Sequence, residues 1–262
     1  MTETTAGAEG RKSSCGVSFI VPALNEEKII ERTVRDIWKT ADAALERFEI
    51  ILVDDGSTDR TGQIMARLAQ DLAHVRVLHN VPNAGLGASY QRGLAQAKCD
   101  YVMMLCGDGG LPASSLPPII AKIGTADIVV PYMRNLRQLK TPLRYAVSRI
   151  YTGLLNSLFG YRLRYYNGLP VHRRALLNAI TITSSGFGFQ AEILIKLLKS
   201  GHSLVEVGVL GAEATNKSSI FRFRNVVSVA FTLVKLLKEL VVFKNDAPQT
   251  DLRGANDRAA KP

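Results

Sequence analysis

Residues 17–21 and 49–53 are short apolar runs rich in β-branched side chains, each followed by a polar break and then by apolar residues at helical spacing. This unit constrains the chain more than any other feature. Strands that are apolar throughout and separated by helices favour parallel pairing in a sheet covered on both faces. Runs at 75–78, 101–105 and 128–130 continue the series, with helical candidates at 84–97 and 114–123, so five strands precede Pro131. In such sheets ligands sit beyond the carboxyl ends of the strands. Those ends are polar here, at residues 22–27, 54–59 and 107–110.

After Pro131 the alternation weakens. Residues 141–159 read as a long helix carrying Arg144 and Arg149, 162–172 as extended chain, 187–199 as an amphipathic helix and 203–209 as an alternating strand. The pattern predicts a disordered tail over 1–15 and one α/β domain over 16–218, with halves 16–131 and 132–218. An amphipathic helix over 219–244 and a disordered tail over 245–262 follow. Within 226–243 an apolar segment is interrupted by Lys235, Lys238 and Glu239 and is short for a membrane span. With Lys217, Arg222 and Arg224 just upstream, it suits either an anionic membrane surface or a packed core position.

A chain of 262 residues can bury a core without disulfides or structural metal. Cys15, Cys99 and Cys106 lack paired spacing, as expected in a reducing cytosol. Residues 1–14 have no apolar stretch of the kind a secretory leader needs. The net charge of +10 suits an anionic partner. Zinc spacing, an RNP-like segment and a basic heptad region are all missing, which argues against nucleic acid.

Residues 53–59, Val-Asp-Asp-Gly-Ser-Thr-Asp, place two carboxylates at a strand end before a glycine turn and capping residues. Capping accounts for Ser57 or Thr58. Adjacent Asp54 and Asp55 repel one another and lose hydration, a cost that a ligand or cation would offset. This segment follows Val21, Pro22, Ala23, Leu24, Asn25, Glu26 and precedes Asn83, Gly85, Gly87, Ala88 and Gly93. Together the three resemble successive motifs of the family 2 glycosyltransferases, in that family's order and spacing.

The resemblance implies a GT-A fold, a Rossmann-like, mostly parallel sheet flanked by helices. It also implies a pocket for a nucleoside diphosphate sugar, with base and ribose against Pro22, Leu24, Glu26, Val53 and Asp55 and with Gly85 and Gly107 close to the nucleotide. Carboxylates such as Glu26 and Asp55 can accept hydrogen bonds from a base N–H and from ribose hydroxyls. Glu26 would also serve simply as an acid at a helix N-terminus.

The family's metal motif, Asp-x-Asp after the fourth strand, aligns with Cys106, Gly107 and Asp108, so the first carboxylate is absent. Mg²⁺ or Mn²⁺ can keep several waters while bridging a pyrophosphate, which leaves Asp108 as the carboxylate ligand. Cys106 is a soft thiol and reads as a small core-like residue. Gly107, Gly109 and Gly110 would let backbone approach a diphosphate, or would simply make a turn.

Within the family the chain most resembles the dolichol- and polyprenyl-phosphate sugar synthases, through residues 167–174, Asn-Gly-Leu-Pro-Val-His-Arg-Arg. Two of their features differ here. Arg164 stands where they carry an acid, and their later Arg-x-x-Gly-x-Ser-Lys survives mainly as Lys217, with Gly211 at the arginine position. The resemblance implies inverting transfer from a UDP- or GDP-sugar to polyprenyl phosphate, in the cytoplasm or at the cytosolic membrane face.

A lipid phosphate is already anionic, so its attack needs positioning and charge neutralisation, for which Arg134, Arg144 and Lys217 are candidates. A soluble hydroxyl acceptor would instead need a base, and Glu192 is the candidate. His172 reads as a packing residue, and Tyr165 and Tyr166 as half-buried strand aromatics. A non-catalytic nucleotide-binding relative is the third reading.

Overall fold

The computed structural model describes residues 12–212, apart from 185 and 187. Lys217, the expected helix over 219–244 and the tail over 245–262 lie outside the described residues.

The chain alternates as β1 (Val17–Ala23), α1 (Ile30–Ala44), β2 (Phe48–Asp54), α2 (Thr61–Asp71), β3 (Val75–His79), α3 (Leu86–Gln96) and β4 (Tyr101–Met104). It continues as α4 (Leu116–Ile120), β5 (Ile128–Met133), α5 (Leu136–Leu139), α6 (Pro142–Phe159), β6 (Val171–Arg173), α7 (Arg174–Asn178), α8 (Phe189–Lys199) and β7 (Leu204–Val209). Among the described residues the seven strands form one sheet in the order β3-β2-β1-β4-β6-β5-β7. β6 runs antiparallel to both neighbours, and the other pairs are parallel.

The period of two along β1 divides the core. Val17, Phe19 and Val21 face one layer with Ile30, Val34, Ile37 and Ala41 of α1, which recur at helical spacing. Ile20 faces the other layer with Tyr90 of α3 and with Phe189, Ile193 and Leu197 of α8. Both faces are therefore covered, and the ligand-accessible parts of the sheet are its ends. The two expected halves share this one sheet, because β6 is inserted between β4 and β5.

Three expectations are refined. Ser13 bridges to Leu45, so the chain joins the fold before residue 16. The extended reading of 162–172 yields a strand only from Val171, since the slot between β4 and β5 admits a short pairing. Upstream, the chain is held by Asn156, whose Oδ1 accepts from the Leu163 amide (3.0 Å) and whose Nδ2 donates to the Leu163 carbonyl (2.9 Å). Third, α2 starts at Thr61. Asp59, rather than Ser57 or Thr58, accepts from the first helical amide, at 2.9 Å.

His172 lies in β6, paired with Val102 and Ile128, and is 2% exposed. Neither ring nitrogen has a hydrogen-bond partner among the described residues. Burial pushes its pKa down from 6.5 to about 3. The unfolded chain therefore binds a proton that the folded chain refuses, and stability present above pH 6.5 is lost as pH falls toward 3. His172→Leu is expected to remove a stability loss of roughly 4 kcal/mol across that window, read by urea unfolding at a series of pH values. An unchanged pH profile would show that the ring is not buried neutral.

Candidate functional site

The carboxyl ends of β1, β2 and β4 carry the expected polar segments, and hydrogen bonds tie the loops at this edge to one another. Asn25 adopts φ +56°, and its Oδ1 accepts from the Thr58 amide at 2.8 Å. The Asn25 amide in turn donates to Ser57 Oγ (3.1 Å), and the Glu26 amide to Thr61 Oγ1 (2.8 Å). Asn and Asp tolerate positive φ because a short polar side chain bonds locally. The loops after β1 and β2 are thereby one stitched unit, with Leu24 exposed and Glu26 partly exposed at its rim. Pro22 and Val53 sit opposite each other in the β1–β2 register, both buried beneath that rim.

Asp55 is 5% exposed and works as a clamp. Its Oδ1 accepts from Asn80 Nδ2 (2.8 Å) and the Ala84 amide (3.0 Å), while Oδ2 accepts from the Gly85 amide (2.9 Å). Gly85 has φ +91°, a backbone state L side chains rarely adopt, and it turns the chain into α3. Asp54 is likewise engaged, accepting from the Ser57 amide (3.1 Å) and lying 3.1 Å from His79 Nδ1. The repulsion expected between the two adjacent carboxylates is thus offset mainly by the protein's own donors. Oδ2 of Asp55 retains acceptor capacity for a ligand.

Asn80 is the residue that sequence reasoning missed. It is 5% exposed, and its amide also donates to Ser89 Oγ at 2.8 Å. Its position directly after β3, at the same edge as the other polar ends, was the available signal.

After β4, Gly107 packs so closely that a Cβ would lie 2.7 Å from Ala23 Cβ and 2.9 Å from Ile30 Cδ1. Close packing against the β1 end, as well as any ligand, calls for glycine there. Asp108 follows in the turn, its Oδ1 accepting from the Gly110 amide at 3.0 Å. Burial, and then the charges of Asp108 and Glu26, raise the Cys106 pKa. The charges of Glu26 and Asp108 thus both act on this thiol, and a soft sulfur is in any case a poor ligand for a hard cation. Among the described residues no three His, Cys, Asp or Glu side chains are grouped to hold a metal ion. The donor set fits a hard cation only as the Asp108 carboxylate together with oxygens that water or a diphosphate would bring.

Arg134 is exposed at the carboxyl end of β5, its amide bonded to the Val209 carbonyl (2.8 Å). The chain leaving β7 returns to the Asp108 turn, where the Ala212 amide donates to the Gly110 carbonyl (3.2 Å). Arg164, at the position of the absent acid, stacks on Tyr132 at 4.6 Å, and its amide donates to Glu206 at 2.8 Å.

Glu192 is placed otherwise than a base requires. It lies in the first turn of α8, is 1% exposed, and accepts from the Thr183 amide (2.9 Å), Thr183 Oγ1 (2.6 Å), the Ser184 amide (2.8 Å) and Lys196 Nζ (2.7 Å). Burial raises its pKa, but the bonds from Lys196, Thr183 and Ser184 outweigh it and hold the carboxyl at about 2. Such a group is a poor proton acceptor, and the geometry gives it a structural task.

Its stabilisation is present above pH 4.5 and lost as pH falls through about 2. Glu192→Gln is expected to cost about 3 kcal/mol at pH 7, with a smaller penalty near pH 3, measured by urea unfolding. A thousandfold fall in turnover of a stably folded variant would restore the role of base.

Residues 18–198 match the family described as glycosyl transferase family 2. An undecaprenyl-phosphate 4-deoxy-4-formamido-L-arabinose transferase of Pseudomonas fluorescens is 29% identical over 83% of this chain and 64% of its own length. Thus the chain spans about two thirds of such relatives. An uncharacterised glycosyltransferase of Mycobacterium bovis is 27% identical over 78% of this chain and 89% of its own. Among solved structures, glucosyl-3-phosphoglycerate synthase of Mycobacterium tuberculosis, in complex with Mn²⁺, UDP and glucosyl-3-phosphoglycerate, superposes with a TM-score of 0.63 at 23% identity, covering 84% of this chain and 79% of the other. The stitched strand-end loops, the sheet order and the family match over most of the domain agree, and the chain belongs to glycosyl transferase family 2 as a glycosyltransferase of GT-A fold.

Proposed function

We propose that this glycosyltransferase moves a sugar from a nucleoside diphosphate sugar, with UDP or GDP as the carrier, to a polyprenyl phosphate, with inversion, at the cytosolic membrane face. The observation that carries the acceptor assignment is the burial of Glu192. A carboxylate clamped by its own loop is poorly placed to serve as base for a hydroxyl acceptor, and a phosphate acceptor needs none, which supports this reading. The relatives named for undecaprenyl-phosphate transfer support the same class of acceptor.

In this reading the base and ribose lie over Pro22, Leu24, Glu26 and Val53, with Asp55 and Gly85 shaping the pocket floor and Gly107 letting the diphosphate pass close to backbone. Asp108 would hold Mg²⁺ or Mn²⁺, which would supply positive charge to neutralise the diphosphate. Arg134, Arg144 and Lys217 are assigned to the charge of the acceptor phosphate. Its oxygen attacks the sugar C1 as the bond to the nucleoside diphosphate breaks, and no proton need move.

The reading is tested by release of nucleoside diphosphate from UDP- and GDP-sugars, with polyprenyl phosphate or a soluble alcohol, in Mg²⁺, Mn²⁺ or EDTA. Release that requires the lipid phosphate and is lost in EDTA is expected. Turnover with soluble alcohols alone would overturn the acceptor, and tight nucleotide binding without turnover would point to a binding protein.

A further inference from the structure

Helix α6 spans Pro142–Phe159, yet its fully buried side chains are only Thr152 and Leu155. Leu143, Val147, Ile150, Leu154 and Leu158 are 42–70% exposed. Their spacings of four, three, four and four residues align them as one stripe along the helix. These are five of the eight large hydrophobic side chains exposed among the described residues, so the apolar surface is concentrated on this face rather than scattered.

The charge around the stripe is one-sided. Between Asp127 and Glu192 the chain has no Asp or Glu but nine Arg and Lys. Arg137 and Lys140 precede the helix, exposed Arg149 adjoins Ile150, and exposed Arg162 follows its end, whereas Arg164 is already paired with Glu206. A second copy of the chain would set these cations against each other, and like charges across an interface are costly. An apolar protein groove would account for the leucines and leave the cations without a counterpart.

We propose that α6 docks the enzyme on an anionic phospholipid surface. Its stripe enters the boundary between headgroups and acyl chains, and the flanking cations meet the phosphates. No described helix is long and apolar enough to cross a membrane, and α6 lies flat along its length of about 27 Å. From Arg134, at the carboxyl end of β5, the chain passes through α5 before α6 begins at Pro142. The observations are independent of which acceptor the enzyme uses.

The test is co-sedimentation of the full chain with vesicles of phosphatidylcholine alone or mixed equally with phosphatidylglycerol. Binding to the mixed vesicles, weaker binding to the neutral ones and release by salt are expected. The double substitution Leu143→Glu and Ile150→Glu is expected to lower the partition coefficient at least about tenfold, with an unchanged melting temperature because both positions face outward. Arg149→Ala should weaken binding to the mixed vesicles alone.

Undiminished binding by the double variant would move the contact to another segment and overturn the proposal, as would failure of the unmodified chain to bind. Loss of a dimer in sedimentation velocity, with vesicle binding intact, would identify the stripe as a self-association face. Vesicle binding by a chain that transfers no sugar to lipid phosphate would refute the acceptor reading and leave this one standing.

Discussion

Asp108→Ala is expected to lower lipid-dependent release of nucleoside diphosphate by about two to three orders of magnitude, the range seen when one electrostatic contact to developing charge is removed. The carboxylate lies in the turn after β4, partly exposed, and its charge is felt at the Cys106 thiol together with that of Glu26. With cysteine at the first position of the metal motif, Asp108 is the carboxylate this segment offers to a hard cation. Loss of its bond to the Gly110 amide costs about 1 kcal/mol, so the variant should stay folded. Nucleotide affinity in EDTA should be nearly the same in both proteins, whereas the gain from added Mn²⁺ should vanish in the variant. Full activity of Asp108→Ala would show that transfer here needs no metal held at this turn.

Asp55→Asn should act on stability and on ligand binding at once. The substitution keeps the shape but replaces one accepting oxygen by an amide donor, which then opposes the Gly85 or Ala84 N–H. A buried donor left without an acceptor, added to the loss of charge-assisted bonds, costs about 3 kcal/mol. Because Asn80, Ala84 and Gly85 are all held by this one carboxylate, the start of α3 should loosen. UDP or GDP affinity is then expected to fall at least about tenfold. Thermal unfolding and titration calorimetry separate the outcomes. Lost affinity at unchanged stability would make Asp55 a ligand contact alone, and unchanged values of both would remove it from the site.

Much of the first half of the domain was legible before any coordinates, and particular residues show why. The runs at 17–21 and 49–53 predicted β1 and β2 within two residues at either end, because an apolar strand and its polar break are local patterns. The polar ends after β1, β2 and β4 marked the candidate edge, and Gly85 and Gly107, read from the family resemblance as lying near the nucleotide, are held as glycine by a positive φ and by close packing respectively. Asn80 escaped notice because a single asparagine after a strand looks like any other loop residue until its partners are known. Glu192 looked like a base because sequence spacing cannot distinguish an acid facing a cleft from one facing its own loop.

The amino-acid sequence by itself determined the alternation of strands and helices, the parallel core and the edge at which ligands would meet it, since each follows from periodicity over a few neighbouring residues. Only the tertiary structure decided that β6 enters antiparallel between β4 and β5, that Asp55 clamps three groups near the start of α3, that Glu192 is sealed and that, among the described residues, the stripe on α6 is exposed. Insertion of β6 and the Asp55 clamp depend on contacts between residues far apart in the chain, and the sealing of Glu192 depends on how α8 packs into the core beside its own preceding loop. Burial and hydrogen bonding there are set by which surfaces meet, and local pattern does not specify that.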